Sequence, residues 1–82
     1  MNFVSSYVRR PPTCLYIVVK VGDTWWVDRE GKSYGHCETR DEAESAAFKL
    51  IELVGDPARP VEVWSPNDNA RIRLVWKGHV QT

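Results

Sequence analysis

Leu15-Tyr16-Ile17-Val18-Val19-Lys20-Val21, then Gly22-Asp23, then Thr24-Trp25-Trp26-Val27: the fold is decided in this stretch. Both runs are built from β-branched and aromatic side chains, which pack well on a pleated surface and lose rotamer freedom in a helix. The Gly-Asp pair between them supplies a backbone that can turn tightly, so the stretch predicts a β-hairpin. With a two-residue loop, Trp25 and Val27 share a face with Tyr16 and Val18, while Trp26 shares the opposite face with Ile17, Val19 and Val21. A slip of one residue would exchange the two faces. Both faces of this hairpin are therefore apolar.

Working outward, Glu30-Gly31 offers a second turn, and residues 32–37 can return as a shorter third strand. Thr39-Arg40-Asp41-Glu42 then fits a capping box, with the threonine hydroxyl accepting from the third helical residue and that residue's carboxylate reaching back. A helix is predicted from Arg40. Ala43, Ala46, Ala47, Leu50, Ile51 and Val54 recur at the spacing of one helical face, and Gly55 before Asp56-Pro57 ends it. Phe48 falls off that stripe and is expected to flank the core. After residues 57–60, Val61-Glu62-Val63-Trp64 alternates, Pro66-Asn67-Asp68-Asn69 is turn chemistry, and Arg71-Ile72-Arg73-Leu74-Val75-Trp76 alternates again. Alternation places Ile72, Leu74 and Trp76 on one face and Arg71, Arg73 and Val75 on the other.

The fold class that follows is α+β: a two-layer domain with an antiparallel sheet of four to five strands packed on one helix, in the order β-β-β-α-β-β. Eighty-two residues allow one domain with one modest core. The expected organisation is an N-terminal arm or tail over residues 1–13, closing on Arg9-Arg10-Pro11-Pro12, a domain over 14–77, and a tail over 78–82. Phe3, Tyr7 and Val8 of the arm are candidates for covering a sheet face.

The pattern resembles a bacterial family of short proteins of unknown function, characterised by Tyr-x-Val-Val, a Gly-Asp turn, Trp-x-Val, Arg-Glu-Gly and a helix opened by Thr-x-x-Glu-Ala. The matching positions are Tyr16, Val18, Val19, Gly22, Asp23, Trp25, Val27, Arg29, Glu30, Gly31, Thr39, Glu42, Ala43, Ala46, Ala47 and Leu50, with Arg71-Ile72-Arg73 similar to the closing strand. The resemblance implies the fold and no activity. It departs at positions 17 and 26, where the family's polar residues are replaced by Ile17 and Trp26. The strand–strand–strand–helix order also resembles the arm-type DNA-binding domain of tyrosine recombinases, which implies a sheet that enters the major groove.

Eleven basic and eleven acidic side chains cancel, so no global field favours polyanions or an anionic membrane. The longest apolar run, residues 15–19, is far short of the roughly 20 residues that span a bilayer, and it lacks signal-peptide flanks. A cytoplasmic protein with reduced Cys14 and Cys37 and no membrane contact is expected. His36 and Cys37 cannot form a catalytic dyad with each other, because neighbours on a strand point to opposite faces. Cys14, His36, Cys37 and His79 lack the spacing of a zinc site, and no phosphate loop or nucleophile elbow occurs. The expectation is a protein that is not an enzyme and has no cofactor or metal. One helix covers one sheet face, so Ile17, Val19, Val21 and Trp26 are the candidate partner-binding residues, with a homodimer or another protein as partner. The alternative is nucleic-acid binding through Arg71, Arg73 and Trp64, with Trp26 as a further stacking surface.

Overall fold

The computed structural model describes residues 12–79. Its elements are β1 (Cys14–Val21), β2 (Thr24–Arg29), β3 (Lys32–Cys37), α1 (Arg40–Val54), β4 (Pro60–Pro66) and β5 (Ile72–His79). The strands form one five-stranded sheet in the order β3-β2-β1-β4-β5, and α1 packs against β1 to β4 on one face. The two-layer α+β architecture and the element order are those expected from the sequence. The centre of the sheet differs, because β1 and β4 pair parallel while the other neighbours pair antiparallel. The helix between β3 and β4 carries the chain back across the sheet, so β4 enters beside β1 in the same direction.

The first hairpin takes the two-residue-loop register, with Val21 opposite Thr24 and Val19 opposite Trp26. Gly22 has a φ of 63° while Asp23 stays at negative φ, the pattern of a type II′ turn. Between β2 and β3, Glu30 and Gly31 both take positive φ, 49° and 85°, as a type I′ turn requires. A bulge follows, in which the span between the Trp25–Cys37 and Val27–Tyr34 pairs gives Trp26 two opposing residues. A Cβ at Gly35 would collide with the Trp26 indole, so the glycine lets that ring lie across the edge strand.

At the helix start Thr39 Oγ1 accepts from the Glu42 N–H at 3.1 Å, and Glu42 Oε1 accepts from the Glu38 N–H at 2.9 Å. The reciprocal bond of the capping box therefore lands one residue earlier than the standard pattern. Gly55 ends the helix in extended geometry, φ −69° and ψ 150°, and donates to the Ile51 carbonyl. Ala43, Ala47 and Ile51 are buried against Cys14, Tyr16, Val18, Val27, Val61 and Val63. Small side chains at the first two positions bring the helix backbone close to the sheet.

The second hairpin corrects the face assignment made from alternation. A register shift falls between Val63 and Trp64, so Val63 pairs with Trp76 while Trp64 pairs with Leu74. The extra residue turns Trp76 to the helix side, where Phe48 meets it edge-on with centroids 5.8 Å apart, while Ile72 and Leu74 stay on the opposite face. Phe48 itself is exposed and reaches the core through Trp76, so it is not the core flank expected from its position off the stripe. β5 also runs through Gly78 and His79, which pair with Val61 and Pro60, two residues beyond the expected domain end. Phe3, Tyr7 and Val8 lie outside the described residues.

Candidate functional site

The sheet face away from the helix is built by alternation in four strands. β1 contributes Leu15, Ile17, Val19 and Val21; their neighbours Cys14, Tyr16 and Val18 point into the core. Trp26 stands opposite Val19, and Asp28 opposite Ile17. On the other flank Trp64 stands beside Ile17, Leu74 beside Trp64, and Ile72 beside Pro66. These apolar side chains form one continuous patch, with Trp26 and Trp64 half-buried by their neighbours and Leu15, Val21, Ile72 and Leu74 exposed. Among the described residues no element crosses this face.

Polar groups sit around the patch and hold one another. Ser33 Oγ donates to Asp28 Oδ1 at 2.7 Å, and the Trp64 indole N–H donates to Glu62 Oε1 at 2.9 Å. Glu62 is opposite Lys77 across β4 and β5. The Trp26 ring also meets His36, with centroids 5.9 Å apart. The rim is thus two carboxylates and one ammonium, with hydrogen bonds that fix both the Asp28 carboxylate and the Trp64 ring.

The structure brings Ile17, Val19, Val21 and Trp26 together on this face. It divides the nucleic-acid set: Trp64 lies on the open face, whereas Arg73 stands opposite the buried Ser65 and so on the helix side. Arg71 precedes β5 and donates its N–H to Asn67 Oδ1 in the hairpin loop. Leu15, Ile72 and Leu74 enlarge the face beyond the residues singled out from sequence. Leu15 follows from the same alternation as Ile17, whereas Ile72 and Leu74 could not be assigned to a side without the register of β4 on β1.

Two ion-pair clusters lie at opposite ends of the domain. At one end Arg59 pairs with Glu30 and donates to the Pro12 carbonyl at 2.8 Å, tying down the chain where it enters β1. The bond from Arg59 holds the Glu30 carboxyl below its ordinary pKa. Beside it Arg29 Nε donates to the Tyr16 hydroxyl at 3.0 Å. At the other end Arg40 pairs with Asp68 at 3.1 Å and donates to the Pro66 carbonyl at 3.0 Å, while Ser65 Oγ donates to Glu44. Among the described residues no three His, Cys, Asp or Glu side chains gather around a point where a metal could sit. No helix there is long and apolar enough to cross a membrane.

No family, curated protein or solved structure matches this chain in the comparisons. Gly22, Glu30 and Gly31 make turns, Thr39 and Glu42 cap the helix, and Tyr16, Val18, Val27, Ala43 and Ala47 are buried, so these residues serve the fold.

Proposed function

We propose that this chain is a small, non-catalytic, cytoplasmic interaction module that associates with a second copy of itself through the open sheet face, with Ile17, Val19, Val21 and Trp26 at the contact. The observation that supports this is the continuous apolar patch from Leu15 to Leu74 with no described element over it. Contiguous apolar surface of this kind is rare on monomers and marks interaction sites. A second copy suits it for two reasons. A two-fold axis lets one apolar patch cover another of the same shape, and a chain with no net charge does not repel its own copy.

A nucleic-acid partner fits less well. The open face offers stacking rings, but its rim holds Asp28 and Glu62, and Arg73 is on the other side of the sheet. Phosphate contact needs cations beside those rings.

The test is molecular mass across a dilution series, by sedimentation, for the wild type and for Trp26→Glu. The expected result is a concentration-dependent dimer that Trp26→Glu abolishes while its circular dichroism and unfolding midpoint stay near wild type. A wild type that remains monomeric at millimolar concentration would overturn the reading. So would a dimer indifferent to Trp26→Glu, which would place the contact on a sheet edge.

A further inference from the structure

The parallel ladder between β1 and β4 stops early, and the sequence says why. Its last pair is Ile17 with Trp64. In a regular parallel ladder the next link would run from the N–H of Pro66 to the Val18 carbonyl, and proline has no N–H to give. β1 nevertheless continues to Val21, held on its other side by β2. In a two-residue hairpin the closing pair, Val21 and Thr24, exchanges hydrogen bonds, so Val19 also faces β2 and the backbone groups of Val18 and Lys20 face the β4 side. Among the described residues the Val18 carbonyl and both Lys20 backbone groups are thereby left without a strand partner.

A slot of about 540 Å³ opens at this place, between residues 18–20 of β1 and the β4–β5 loop. That is within the range of roughly 300–1,000 Å³ that ligand sites occupy. Its walls are Val18, Trp25, Pro66 and Ile72, and two cations, Lys20 and Arg40, stand along it. The Lys20 ammonium lies 5.6 Å from the centre of the Trp25 ring. Arg40 is held by Asp68, whose side chain is 92% exposed, so that ion pair can exchange for another carboxylate.

We propose that the slot binds a short extended peptide segment bearing an acidic side chain, by strand addition to the unpaired half of β1. The peptide backbone donates to the Val18 carbonyl and accepts from the Lys20 N–H, an apolar side chain on the open side packs on Val19 and Ile72, and the carboxylate on the helix side meets Lys20 and Arg40. This site adjoins the self-association face and shares Val19 and Ile72 with it, whereas Lys20, opposite Trp25, lies on the helix side and belongs to the slot alone.

The probe is a pool of acetylated, amidated tetrapeptides with glutamate fixed at the second position and Val, Ile, Thr and Phe mixed elsewhere, titrated into the labelled full chain and followed by amide chemical shifts. Saturable shifts are expected at residues 18–21 and 67–72, about tenfold weaker binding for Lys20→Glu, and weaker binding of a pool with lysine in place of the glutamate. Pro66→Ala restores the missing N–H and lets the ladder close onto Val18. It is expected to raise the unfolding midpoint and to abolish peptide binding together. Shifts absent from residues 18–21, or a Pro66→Ala protein that binds the pool as well as wild type, would overturn the proposal.

Discussion

Tyr16 is the largest side chain buried completely in this domain, and its hydroxyl is not left alone there. Arg29 donates to it at 3.0 Å and lays its guanidinium 5.7 Å from the ring centre, so one cation satisfies the polar tip and covers the apolar body. Burial disfavours the phenolate and raises the Tyr16 pKa above its ordinary value, while Arg29 pulls the other way without cancelling the effect. The folded pKa therefore lies above the unfolded one. Stability from this group is complete below about pH 10 and is lost as pH rises toward the folded pKa, with a limiting slope of about 1.4 kcal/mol per pH unit. Tyr16→Phe cannot ionise and gives up the bond to Arg29, so it should be about 1 kcal/mol less stable at neutral pH. Urea unfolding of both proteins between pH 8 and pH 11 should show that difference shrinking as the pH passes 10. A gap that stays constant would show that Tyr16 does not titrate with folding.

At the scale of elements, the loop between β4 and β5 holds the clearest backbone conflict. Asn67 organises it: its N–H donates to the Arg71 carbonyl, its carbonyl accepts from Ala70, and Oδ1 accepts from Asn69 and Arg71. This is a three-residue hairpin loop, a type I turn followed by a left-handed residue, where glycine is usual. Ala70 occupies that position with φ 63°. The left-handed region costs a residue with a Cβ about 1–2 kcal/mol, and the extra chain entropy of glycine returns about 0.5–1 kcal/mol of that. Ala70→Gly should therefore stabilise the domain by about 0.5–1 kcal/mol, read as a higher urea midpoint with an unchanged slope; a lower midpoint would mean that the loop does not hold this conformation. The same loop marks the boundary of what could be read from sequence. Turns and caps are local chemistry, so Gly22-Asp23, Glu30-Gly31 and Thr39 to Glu42 were all visible, and with the first turn came the faces of Ile17, Val19 and Trp26. Neither the parallel pairing of β1 with β4 nor the bulge that turns Trp76 toward Phe48 has a local signal. Both are set by how the helix returns the chain to the sheet, and the slot beside Lys20 was hidden with them. Pro66, at the end of an alternating strand, was the one residue that could have pointed to it.

Taken whole, the described residues place one face of the sheet under a helix and leave the other open, and the charge balance decides how the open face should behave. With equal numbers of acidic and basic side chains, association between copies has no net long-range term for salt to screen. The proposed contact face is apolar at its centre, through Ile17, Val19 and Trp26, with Asp28, Glu62 and Lys77 at the rim. Self-association should thus change little between low and moderate sodium chloride, strengthen in sulfate and weaken on cooling, because apolar burial fades at low temperature and excluded salts reinforce it. Nucleic-acid binding through Arg71 and Arg73 would behave oppositely, losing affinity steeply as salt displaces it from the phosphates. Sedimentation at two sodium chloride concentrations, in sulfate and at two temperatures separates the two. A dimer constant that moves with sulfate and temperature but not with sodium chloride is the expected result. One that collapses with sodium chloride would mean that the rim charges, and not the tryptophan-centred patch, hold the copies together.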